Sequence, residues 1–444
     1  MKSATPKVLH RIGGKPLLEH VVCTAQALQA AHVHVVYGHG GEQVCQALAH
    51  LPVNWVLQEQ QLGTGHAVQQ VMQYISEGQQ VLILYGDVPL IQQSTLQRLM
   101  EKVSDDSLAL LTAQLHDPTG YGRIVRSDHG EVLSIVEEKD ASPAQRQIRE
   151  INTGILALSA HRLQQWLAQL ENNNAQGEFY LTDIIAMAAK EGVTIKTVAP
   201  HSLSEIEGVN NRKQLAELER AYQLQIAEQL MMQGVTLRDP ARFDVRGDIV
   251  VGQDIEIDIN VVLEGNVEIG GGVSIGANCV IKDCVIGENT VIMPHCHIEG
   301  AHLGNHCHIG PFARLRPGTE LAERARIGNF VEVKKSQIGI GSKVNHLSYI
   351  GDTTMGKGVN VGAGTITCNY DGANKHQTII GDDAFIGSDT QLVAPVSVGA
   401  GATIGAGSTI THDAPAQQLT LSRPEQKTRK GWKRPRKYEN KMPE

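Results

Sequence analysis

A histidine, two cations and a glycine-containing polar stretch follow one another between residues 316 and 378. Arg316 lies in the segment RLRPG, Lys334 in FVEVKK and His346 in VNHLSY. Arginine and lysine bind phosphate groups, a neutral imidazole takes a proton from an attacking amine, and a backbone amide within 362–364 could hold an oxyanion. The set suits thioester-dependent acylation of an amine on a phosphorylated substrate, although composition alone fits a surface histidine at position 346 equally well.

The polar stretch from 361 to 378, VGAGTITCNYDGANKHQT, interrupts a short repeat. From 251 to 350, units of five or six residues begin with a large aliphatic residue, as in LEGNVE, IGGGVS and IGENTV, and the units resume at 380. Six extended residues span roughly 20 Å, which is one flat side of a prism-shaped β-helix. A polar loop that leaves such a rigid prism is a candidate wall of a binding site.

Four cysteines support this register. Each lies two residues before the aliphatic residue that begins a unit, and they are Cys279, Cys284, Cys296 and Cys307. Side chains alternate along a strand, so this second position also faces inward. It takes a small residue, and cysteine behaves as a small hydrophobe. We therefore expect these four thiols to fill the core rather than to bind a metal.

A cluster of histidines allows a different interpretation, a zinc site like that of a carbonic-anhydrase-type β-helix. The cluster comprises His295, His297, His302, His306 and His308. Residues that stack in a three-sided coil are about 18 apart, whereas these are 2 to 13 apart. The spacing places most of them on different faces or pointing outward, which argues against a shared metal.

The first 212 residues alternate between helix and strand patterns. Helical spacing over 17–28 is followed by apolar runs at 33–37 and 55–57, by helical spacing over 68–75, and by the run at 81–85. The last run has the pattern of a strand buried on both faces. This order predicts an α/β domain with a Rossmann-like, mostly parallel sheet, and a helix over 213–233 is expected to link it to the repeats.

Two motifs of this half are placed to bind ligands. The segment LGTGH at 62–66 begins a helix, whose first amides can meet an anion or a base edge. Asp87 follows the apolar run at 81–85, where open α/β sheets bind ligands. It fits a Mg²⁺ ligand, and it fits an N-cap or turn aspartate equally well.

Composition argues against several classes of function. The net charge of −8 gives no general reason to expect nucleic-acid or membrane binding, and no apolar run is long enough to cross a bilayer. Seven cysteines without a CxxC motif predict reduced thiols in the cytoplasm. The basic segment KTRKGWKRPRK at 427–437 fits a solvated tail, a contact with an anionic cofactor or a contact with nucleic acid.

Ten motifs run in order along nearly the whole chain: PKVLH, LGTGHA, YGDVPL, GYGRI, INTGI, EGVNNR, GPFARLRPG, NFVEVKK, GAGTITCNYDGANKH and SDTQLVAPV. With them the chain resembles the bacterial bifunctional enzymes that join a glucosamine-1-phosphate N-acetyltransferase to an N-acetylglucosamine-1-phosphate uridylyltransferase. The resemblance implies a homotrimeric left-handed β-helix, Mg²⁺, and acetyl-CoA and UTP as co-substrates. The implied product, UDP-N-acetylglucosamine, serves peptidoglycan and lipopolysaccharide synthesis.

The resemblance also implies roles for individual residues. His346 would be the general base of acetyl transfer, and the sugar phosphate would be bound by Arg316, Lys334, Tyr349, Asn360 and Lys375. The acetyl-CoA site would comprise Ala363, Asn369, Tyr370, Ser388, Ala406 and Arg423. The nucleotide and its sugar would meet Lys7, Gln58, Gly63, Thr64, Tyr85, Gly86, Asp87, Gly122, Glu137, Asn152 and Asn210, with Asp87 and Asn210 holding Mg²⁺.

The chain departs from this family at its start. The family opens with a strand and the loop L-x-x-G-x-G-T-R-M, of which only the last residue has a counterpart here. We therefore expect an N-terminally truncated nucleotidyltransferase domain over 1–212, two strands without a neighbour on one side, and weak uridylyl transfer. The hexapeptide-repeat domain over 234–444 is expected to fold regardless. The alternative is a non-catalytic scaffold of the same two domain types, and the set around His346 favours the enzyme.

Overall fold

The computed structural model describes residues 1–38 and 40–436, which form two compact units. The first unit is Met1–Gln229 with Asp244–Gly247, and the second is Leu230–Phe243 with the chain from Asp248 onward. The helix expected over 213–233 is observed as Arg212–Met232. The domain limits at 212/213 and 233/234 stay predictions, and Lys437, the last residue of the basic segment, lies outside the described residues.

Helices and strands alternate in the first unit, as the sequence predicts. The helices are α1 (Leu17–Ala27), α2 (Glu42–Ala47), α3 (Thr64–Gln69), α4 (Gln93–Met100), α5 (Ala160–Leu167), α6 (Asp183–Lys190) and α7 (Arg212–Met232). The strands are β1 (Arg11–Ile12), β2 (Lys15–Pro16), β3 (His34–Gly38), β4 (Asn54–Gln58), β5 (Gln80–Ile83), β6 (Ser107–Gln114), β7 (Arg123–Arg126), β8 (Val132–Val136), β9 (Glu150–Ser159) and β10 (Thr194–Val198). Short 3-10 turns cover Lys7–Leu9, Met72–Tyr74, Gln145–Gln147 and Leu203–Glu205. The helix expected over 68–75 is therefore shorter, because α3 ends at Gln69 and only a 3-10 turn follows.

The main sheet of the first unit is mixed, so the prediction of a mostly parallel sheet is wrong in this respect. Its order is β10-β6-β9-β7-β8, with β5 also paired to β9. The long strand β9 runs antiparallel to β5, β6 and β7, and within this sheet only β10 and β6 pair in parallel among the described residues. Pairing between distant segments sets these directions, and the alternation of local patterns carries no information about it. Strands β3 and β4 form a separate parallel pair.

Two hydrophobic clusters cover the two faces of β5. Its side chains Val81 and Ile83 join the cluster around Trp166, whereas Leu82 belongs to the cluster around Leu96 and Leu99. The strand is nevertheless only half-buried along its length, and so is β3. The prediction that the run 81–85 is covered on both faces is therefore confirmed, although its side chains are not fully buried. One edge of β5 pairs with β9 and the other faces a cleft opposite β3, so these are the two strands expected to lack a neighbour.

The second unit is a left-handed parallel β-helix with three faces, preceded by a 3-10 turn at Pro240–Arg242. Strands of the first face are Thr236–Leu237, Glu256–Ile257, Ser274–Ile275, Val291–Ile292, His308–Ile309, Arg326–Asn329, Lys343–His346, Asn360–Val361, Phe385–Ile386, Thr403–Ile404 and Leu419–Thr420. Strands of the second face are His297–Glu299, Arg314–Leu315, Glu332–Lys334, Tyr349–Gly351, Ile366–Cys368, Gln391–Val393 and Thr409–Ile410. Strands of the third face are Ala301–Leu303, Thr319–Leu321, Gln337–Ile338, Thr353–Met355, Thr378–Ile380 and Val396–Val398. Three longer strands, Phe243–Val251, Val261–Ile269 and Val280–Ile286, begin the stack of the second and third faces.

Successive coils stack in register, and this fills the core with columns of like side chains. On the second face Ile281, Ile298, Leu315, Val333 and Ile350 lie directly over one another, 17 or 18 residues apart, and all are fully buried. The four cysteines at the smaller inward position are buried as well, which confirms the prediction that they fill the core. Residues of the same type stack because each strand pairs with the equivalent strand of the next coil.

The corner between the first and second faces carries an exposed apolar column. Its members are His295, Phe312, Phe330 and Leu347, and all have positive φ. The His295 and Phe312 rings stack with centroids 4.8 Å apart, and those of Phe312 and Phe330 are 5.2 Å apart. Left-handed backbone is costly for large side chains, so this column is built at some expense. Among residues 1–38 and 40–436, no helix has the length and apolar character needed to span a membrane.

Close packing at the small inward position of a coil should limit the size of the residue there. A Cβ on Gly310 would lie only 2.3 Å from the Cys296 Sγ, so no space remains for a larger group. We expect Cys296→Leu to lower the free energy of unfolding of the β-helix by about 1–3 kcal/mol, and Cys296→Ala to lower it less. Urea unfolding followed by far-UV circular dichroism measures this. The matched control is His297→Leu, one position on and facing outward; equal stability of the two leucine variants would contradict the assignment of the core position.

Candidate active sites

His346 lies at the corner between the first and second faces, at the end of the strand Lys343–His346. Its side chain is exposed, and the ring Nδ1 is 3.0 Å from Oδ1 of Asn329, which occupies the same position one coil below. An amide oxygen is an acceptor, so this contact favours the tautomer with the proton on Nδ1. The lone pair of Nε2 is then available to accept a proton.

Four residues that the family resemblance assigns to acetyl-CoA continue the column above His346. The amide of Gly364 donates to the carbonyl of His346 (3.3 Å), and that of Asp389 donates to the carbonyl of Ala363 (2.7 Å). The amide of Gly407 donates to the carbonyl of Ser388, and Nη1 of Arg423 donates to the carbonyl of Ala406. The column is therefore Asn329, His346, Ala363, Ser388, Ala406 and Arg423. Its small members leave a track along the corner, which spans about 19 Å over four coil steps.

The glycine segment beside His346 offers fewer free amides than the sequence suggested. The amide of Gly362 donates to the carbonyl of Ile386, and that of Gly364 donates to His346. Ladder bonds between coils use these donors, which the sequence could not reveal. Within the described part of the chain, no backbone bond is recorded for the amide of Ala363. Of the three amides considered as oxyanion donors, Ala363 therefore supplies the one that remains.

Cations gather on the second face next to this corner. Arg316 and Lys334 follow one another in a column of that face, and Arg316 donates to Glu332 at 2.9 Å. The ammonium of Lys375, which lies on the loop that leaves the prism, lowers the pKa of Lys334. Two like charges this close favour a bound anion, because an anion offsets their repulsion.

The two residues predicted to contact the sugar lie on different faces. Tyr349 follows Glu332 on the second face, and its hydroxyl turns back over Gly351, where an added Cβ would be 2.5 Å away. Glycine is therefore needed there to make room for the phenol. Asn360 lies on the first face, above Lys343. Within one chain, His346 at the corner therefore lies between Asn360 on the first face and the cations on the second face.

Two carboxylates hold the loop of residues 369–377. Asp371 accepts bonds from the amides of Ala373 and Asn374 and approaches the His376 ring at 2.7 Å. These contacts hold the pKa of Asp371 well below its usual range, with the Asn374 amide as the main cause. Asn369 is buried and donates to Asp352.

The outer part of the same loop is open. Tyr370 is exposed, and its hydroxyl donates to the Gly372 carbonyl. A cavity of about 390 Å³ beside the loop is lined by residues that include Lys335 and Lys375. The loop therefore brings a cation and an aromatic ring to the edge of the prism.

The five clustered histidines are exposed and spread over separate strands and turns. His297 stacks with Arg314 on the second face, His302 with Glu320 on the third, and His308 with Arg326 on the first. In the described part of the chain, no group of three or more His, Cys, Asp or Glu side chains is placed to share a metal ion. The geometry thus agrees with the spacing argument.

Several of the residues predicted for the nucleotide are neighbours in the first unit. The Thr64 hydroxyl accepts from the amide of Leu181, and the Thr182 hydroxyl donates to Glu137. Gly122 lies against the Glu137 carboxylate, and its carbonyl accepts from the amide of Asn152. Gly154 completes this chain of neighbours, because the Tyr85 ring packs closely against it.

Two further predicted residues, Gln58 at the end of β4 and Gly63 before α3, contact each other. Gly63, with φ of 110°, precedes α3, and its carbonyl accepts from the side-chain amide of Gln58 at 3.1 Å. Two other residues of this region, Tyr85 and Glu137, are polar but poorly solvated. Burial raises the pKa of Tyr85 to about 12 and also raises the pKa of Glu137.

Asp87 and Asn210 come together after β5, as the metal prediction requires. The Lys7 ammonium lies 2.6 Å from Oδ2 of Asp87 and 3.0 Å from Oδ1 of Asn210. Both oxygens therefore converge on one cation position, and carboxylate and amide oxygens suit Mg²⁺. Gly86 lies between Tyr85 and Asp87 and contacts Leu18 and Val8.

Four neighbours of the predicted residues were missed in the sequence. Asn329 holds the His346 ring, Glu332 binds Arg316, Asp352 holds Asn369, and Thr182 binds Glu137. Asn329 and Asp352 lie 17 residues before their partners, which is one coil. The coil period was therefore a signal that could have found them.

Three known families match parts of the chain. Residues 1–174 match the MobA-like NTP transferase domain, residues 245–329 match the GMPPB C-terminal domain, and residues 377–412 match the bacterial transferase hexapeptide with six repeats. Two solved structures also resemble the chain. They are a nucleotidyl transferase from Methanothermobacter thermautotroptrophicus (17% identity, TM-score 0.36, 49% of this chain and 85% of that one) and a UDP-glucose pyrophosphorylase complexed with UDP-glucose (16%, 0.40, 49% and 90%). Likeness at these TM-scores supports no conclusion.

Two curated relatives match almost end to end. The bifunctional protein GlmU of Pseudoalteromonas atlantica is 57% identical over 439 residues, which are 99% of this chain and 97% of the relative. The bifunctional protein GlmU of Methylococcus capsulatus is 60% identical over 438 residues, which are 98% of this chain and 95% of the relative. The chain therefore belongs to the bifunctional GlmU family and is a transferase that combines a nucleotidyltransferase unit with a hexapeptide-repeat acetyltransferase unit.

Proposed function

We propose that the corner of the β-helix transfers the acetyl group of acetyl-CoA to the amine of glucosamine-1-phosphate. The column of Asn329, His346, Ala363, Ser388, Ala406 and Arg423 carries this proposal, because it combines an oriented base with a track for an extended cofactor. A non-catalytic scaffold would need no such alignment. The N-acetylglucosamine-1-phosphate formed then receives a uridylyl group from UTP in the first unit.

The acetyl transfer follows from this geometry. Nε2 of His346 accepts a proton as the sugar amine attacks the thioester carbonyl. The amide of Ala363 stabilises the oxyanion of the tetrahedral intermediate. The intermediate collapses with loss of the CoA thiolate, and the imidazolium returns its proton to that sulfur. Asn329 keeps the ring in the tautomer that this sequence needs.

Three cations position the acceptor for this attack. Arg316, Lys334 and Lys375 bind the sugar phosphate, and the lowered pKa of Lys334 beside Lys375 reflects a charge density that suits a dianion. Tyr349 and Asn360 contact the sugar from the two sides of His346. Tyr370 and Asn369 flank the acetyl-CoA at the extruded loop, and Arg423 ends the track with a charge for a phosphate of the cofactor.

A trimer completes this site. The apolar column next to His346 is exposed at 48% for Phe312, 56% for Phe330 and 62% for Leu347. Exposed apolar patches of this kind mark protein contacts, and the column borders the track proposed for acetyl-CoA. We place a neighbouring subunit there, so that the cofactor binds between subunits. None of the seven cysteines, all of which lie in the described part of the chain, forms a disulfide, which fits the reducing cytoplasm.

Uridylyl transfer is placed in the cleft of the first unit. The side for the nucleotide and its sugar is lined by Gln58, Gly63, Thr64, Tyr85, Gly86, Gly122, Glu137 and Asn152. Lys7 lies on the other side. Asp87 and Asn210 would hold Mg²⁺, which neutralises phosphate charge when bound. With only two protein oxygens, the remaining ligands would be water and substrate phosphates. Weak uridylyl transfer by this chain stays a prediction.

Removal of the base tests the acetyltransferase assignment. His346→Ala should lower kcat for acetyl transfer by about 10²–10⁴-fold, because the amine then lacks an acceptor for its proton. Thiol release from acetyl-CoA measures the rate, and light scattering should show an unchanged oligomer since the side chain is exposed. The matched control is His302→Ala, exposed on the third face. Acetylation at the wild-type rate by the His346 variant would refute the assignment.

The orienting role of Asn329 makes a separate prediction. Asn329→Leu should lower kcat by roughly tenfold or more with little change in KM, since the ring loses its preferred tautomer. Asn329→Asp should instead move the acid limb of the pH–rate profile to higher pH, because a carboxylate stabilises the protonated imidazole, which cannot act as the base. Unchanged pH profiles and rates in both variants would leave Asn329 without a positioning role.

Metal dependence should differ between the two reactions. Excess EDTA should abolish uridylyl transfer, whereas acetyl transfer should keep its rate, since amides and an imidazole supply its chemistry. Both reactions are assayed on one preparation, with added Mg²⁺ restoring the first. Loss of acetyl transfer in EDTA would contradict the mechanism at His346.

A further inference from the structure

The loop that leaves the β-helix has the internal bonds of a small hairpin. Tyr370 and Lys375 face each other as an antiparallel pair, and the amide of His376 donates to the carbonyl of Asn369 at 2.8 Å. Asp371 closes the turn between them. The side chains of the loop therefore keep their places relative to one another, and the attachment of the loop to the prism decides where Lys375 lies.

One residue of the prism bonds both ends of this hairpin. The Asp352 carboxylate accepts from the side-chain amide of Asn369, where the loop begins. The Asp352 carbonyl accepts from the amide of Thr378, where the chain returns to the third face, at 3.1 Å. The amide of Asp352 donates to the carbonyl of Lys334, one coil below, at 3.0 Å. Asp352 thus joins the start of the loop, its end and the coil that carries Lys334.

Backbone conformation and burial explain why an aspartate suits this position. The φ of Asp352 is 48°, in the left-handed region, which a short polar side chain tolerates better than a large one. Asp352 is half-buried and Asn369 is buried, so water competes little for the bond between them. A second side-chain bond, from Gln377 to Thr354 at 2.8 Å, involves an exposed glutamine. We therefore expect the Asp352 bond to be the stronger attachment of the two.

The same carboxylate lies beside the cations of this region. Asp352 borders a cavity together with Lys335 and Lys375. The ammonium of Lys375 lowers the pKa of Lys334, and the Asp352 carboxylate acts on that pKa in the opposite direction. A negative charge close to two ammonium groups reduces their mutual repulsion. Asp352 can therefore hold Lys375 near Lys334 before a substrate phosphate arrives.

We propose that Asp352 is a positioning residue that fixes Lys375 against the phosphate of the acceptor and thereby sets the affinity for phosphorylated acceptors. The inference rests on the proposed function, which assigns the phosphate of glucosamine-1-phosphate to Arg316, Lys334 and Lys375. Asp352 bonds the loop rather than His346. Its loss should therefore weaken the binding of substrate and transition state alike, which raises KM and leaves kcat nearly unchanged.

Steady-state acetyl transfer by the whole chain tests this role. Asp352→Ala should raise KM for glucosamine-1-phosphate by about tenfold or more, with kcat changed by less than about threefold. Asp352→Asn keeps an acceptor for the Asn369 amide and should raise KM by less than about threefold. The matched control is Asp283→Ala, which should keep the wild-type KM. Asp283 has the same left-handed backbone, with φ of 50°, and its carboxylate accepts from the amide of Asn266, several coils before the loop.

A double-mutant cycle measures whether Asp352 acts through Lys375. Lys375→Ala should itself raise KM for glucosamine-1-phosphate. Asp352→Ala added to it should raise KM by less than about twofold further, since the cation that Asp352 positions is already gone.

A reciprocal exchange supplies a second arm, which decides if circular dichroism shows that Asp352→Ala does not fold. Asn369→Asp should raise KM for glucosamine-1-phosphate, because two carboxylates then face each other and repel. Asn369→Asp combined with Asp352→Asn should return KM to within about threefold of the wild-type value, since the bond forms again with its partners exchanged.

The kinetic results separate a failure of this inference from a failure of the proposed function. An equal rise of KM in Asp283→Ala would show a general loosening of the prism, and additive effects of Asp352→Ala and Lys375→Ala would show that the carboxylate acts without this cation. Either result would overturn the positioning role, as would an exchanged pair that fails to restore KM. A raised KM for Lys375→Ala with none for Asp352→Ala would contradict this inference alone. Wild-type kinetics of both His346→Ala and Lys375→Ala would refute the proposed function and the inference with it.

Discussion

In-register stacking of parallel coils is the constraint on which the second unit depends. Each coil gives its backbone donors and acceptors to the coils above and below, so equivalent positions lie directly over one another. A buried column such as that of Ile298 is one result, and the exposed column of Phe312 is another. Function uses the same rule, because His346, its orienting amide at Asn329 and the track above it are one column. A shift of one residue in any coil would separate them.

The proposed acetyl-transfer site lies where the stack departs from its repeat. Between the coils of His346 and Ser388, a loop leaves the prism, and Asp371 gives that loop a fixed internal shape. It returns Lys375 towards Lys334 and leaves two like charges together. The rigid coils set the position of the proposed base, whereas the loop supplies a cation that would face an anionic substrate. Neither part alone would hold a phosphorylated amine against a thioester.

The first unit shows a different case, because β3 and β4 form a sheet apart from that of β5. Strands β3 and β5 each pair along one edge, and a cleft lies between them. The residues around Glu137 are nonetheless assembled, since Gly122, Glu137 and Asn152 lie on or beside β7, β8 and β9, which are joined by their own ladders. Partial burial raises the pKa values of Tyr85 and Glu137, which lie in this part of the first unit.

The sequence by itself determined the coil period, the inward positions and their small cysteines, the alternation of helices and strands before Arg212, and the family. These are local patterns, because side-chain direction repeats every two residues in a strand and every coil in a prism. Only the tertiary structure decided that β9 runs against its neighbours, that β5 is half-buried, that ladder bonds use the amides of Gly362 and Gly364, and that Asn360 and Tyr349 lie on different faces. Each depends on which distant segment lies alongside, and pairing between distant segments leaves no periodic trace in the chain.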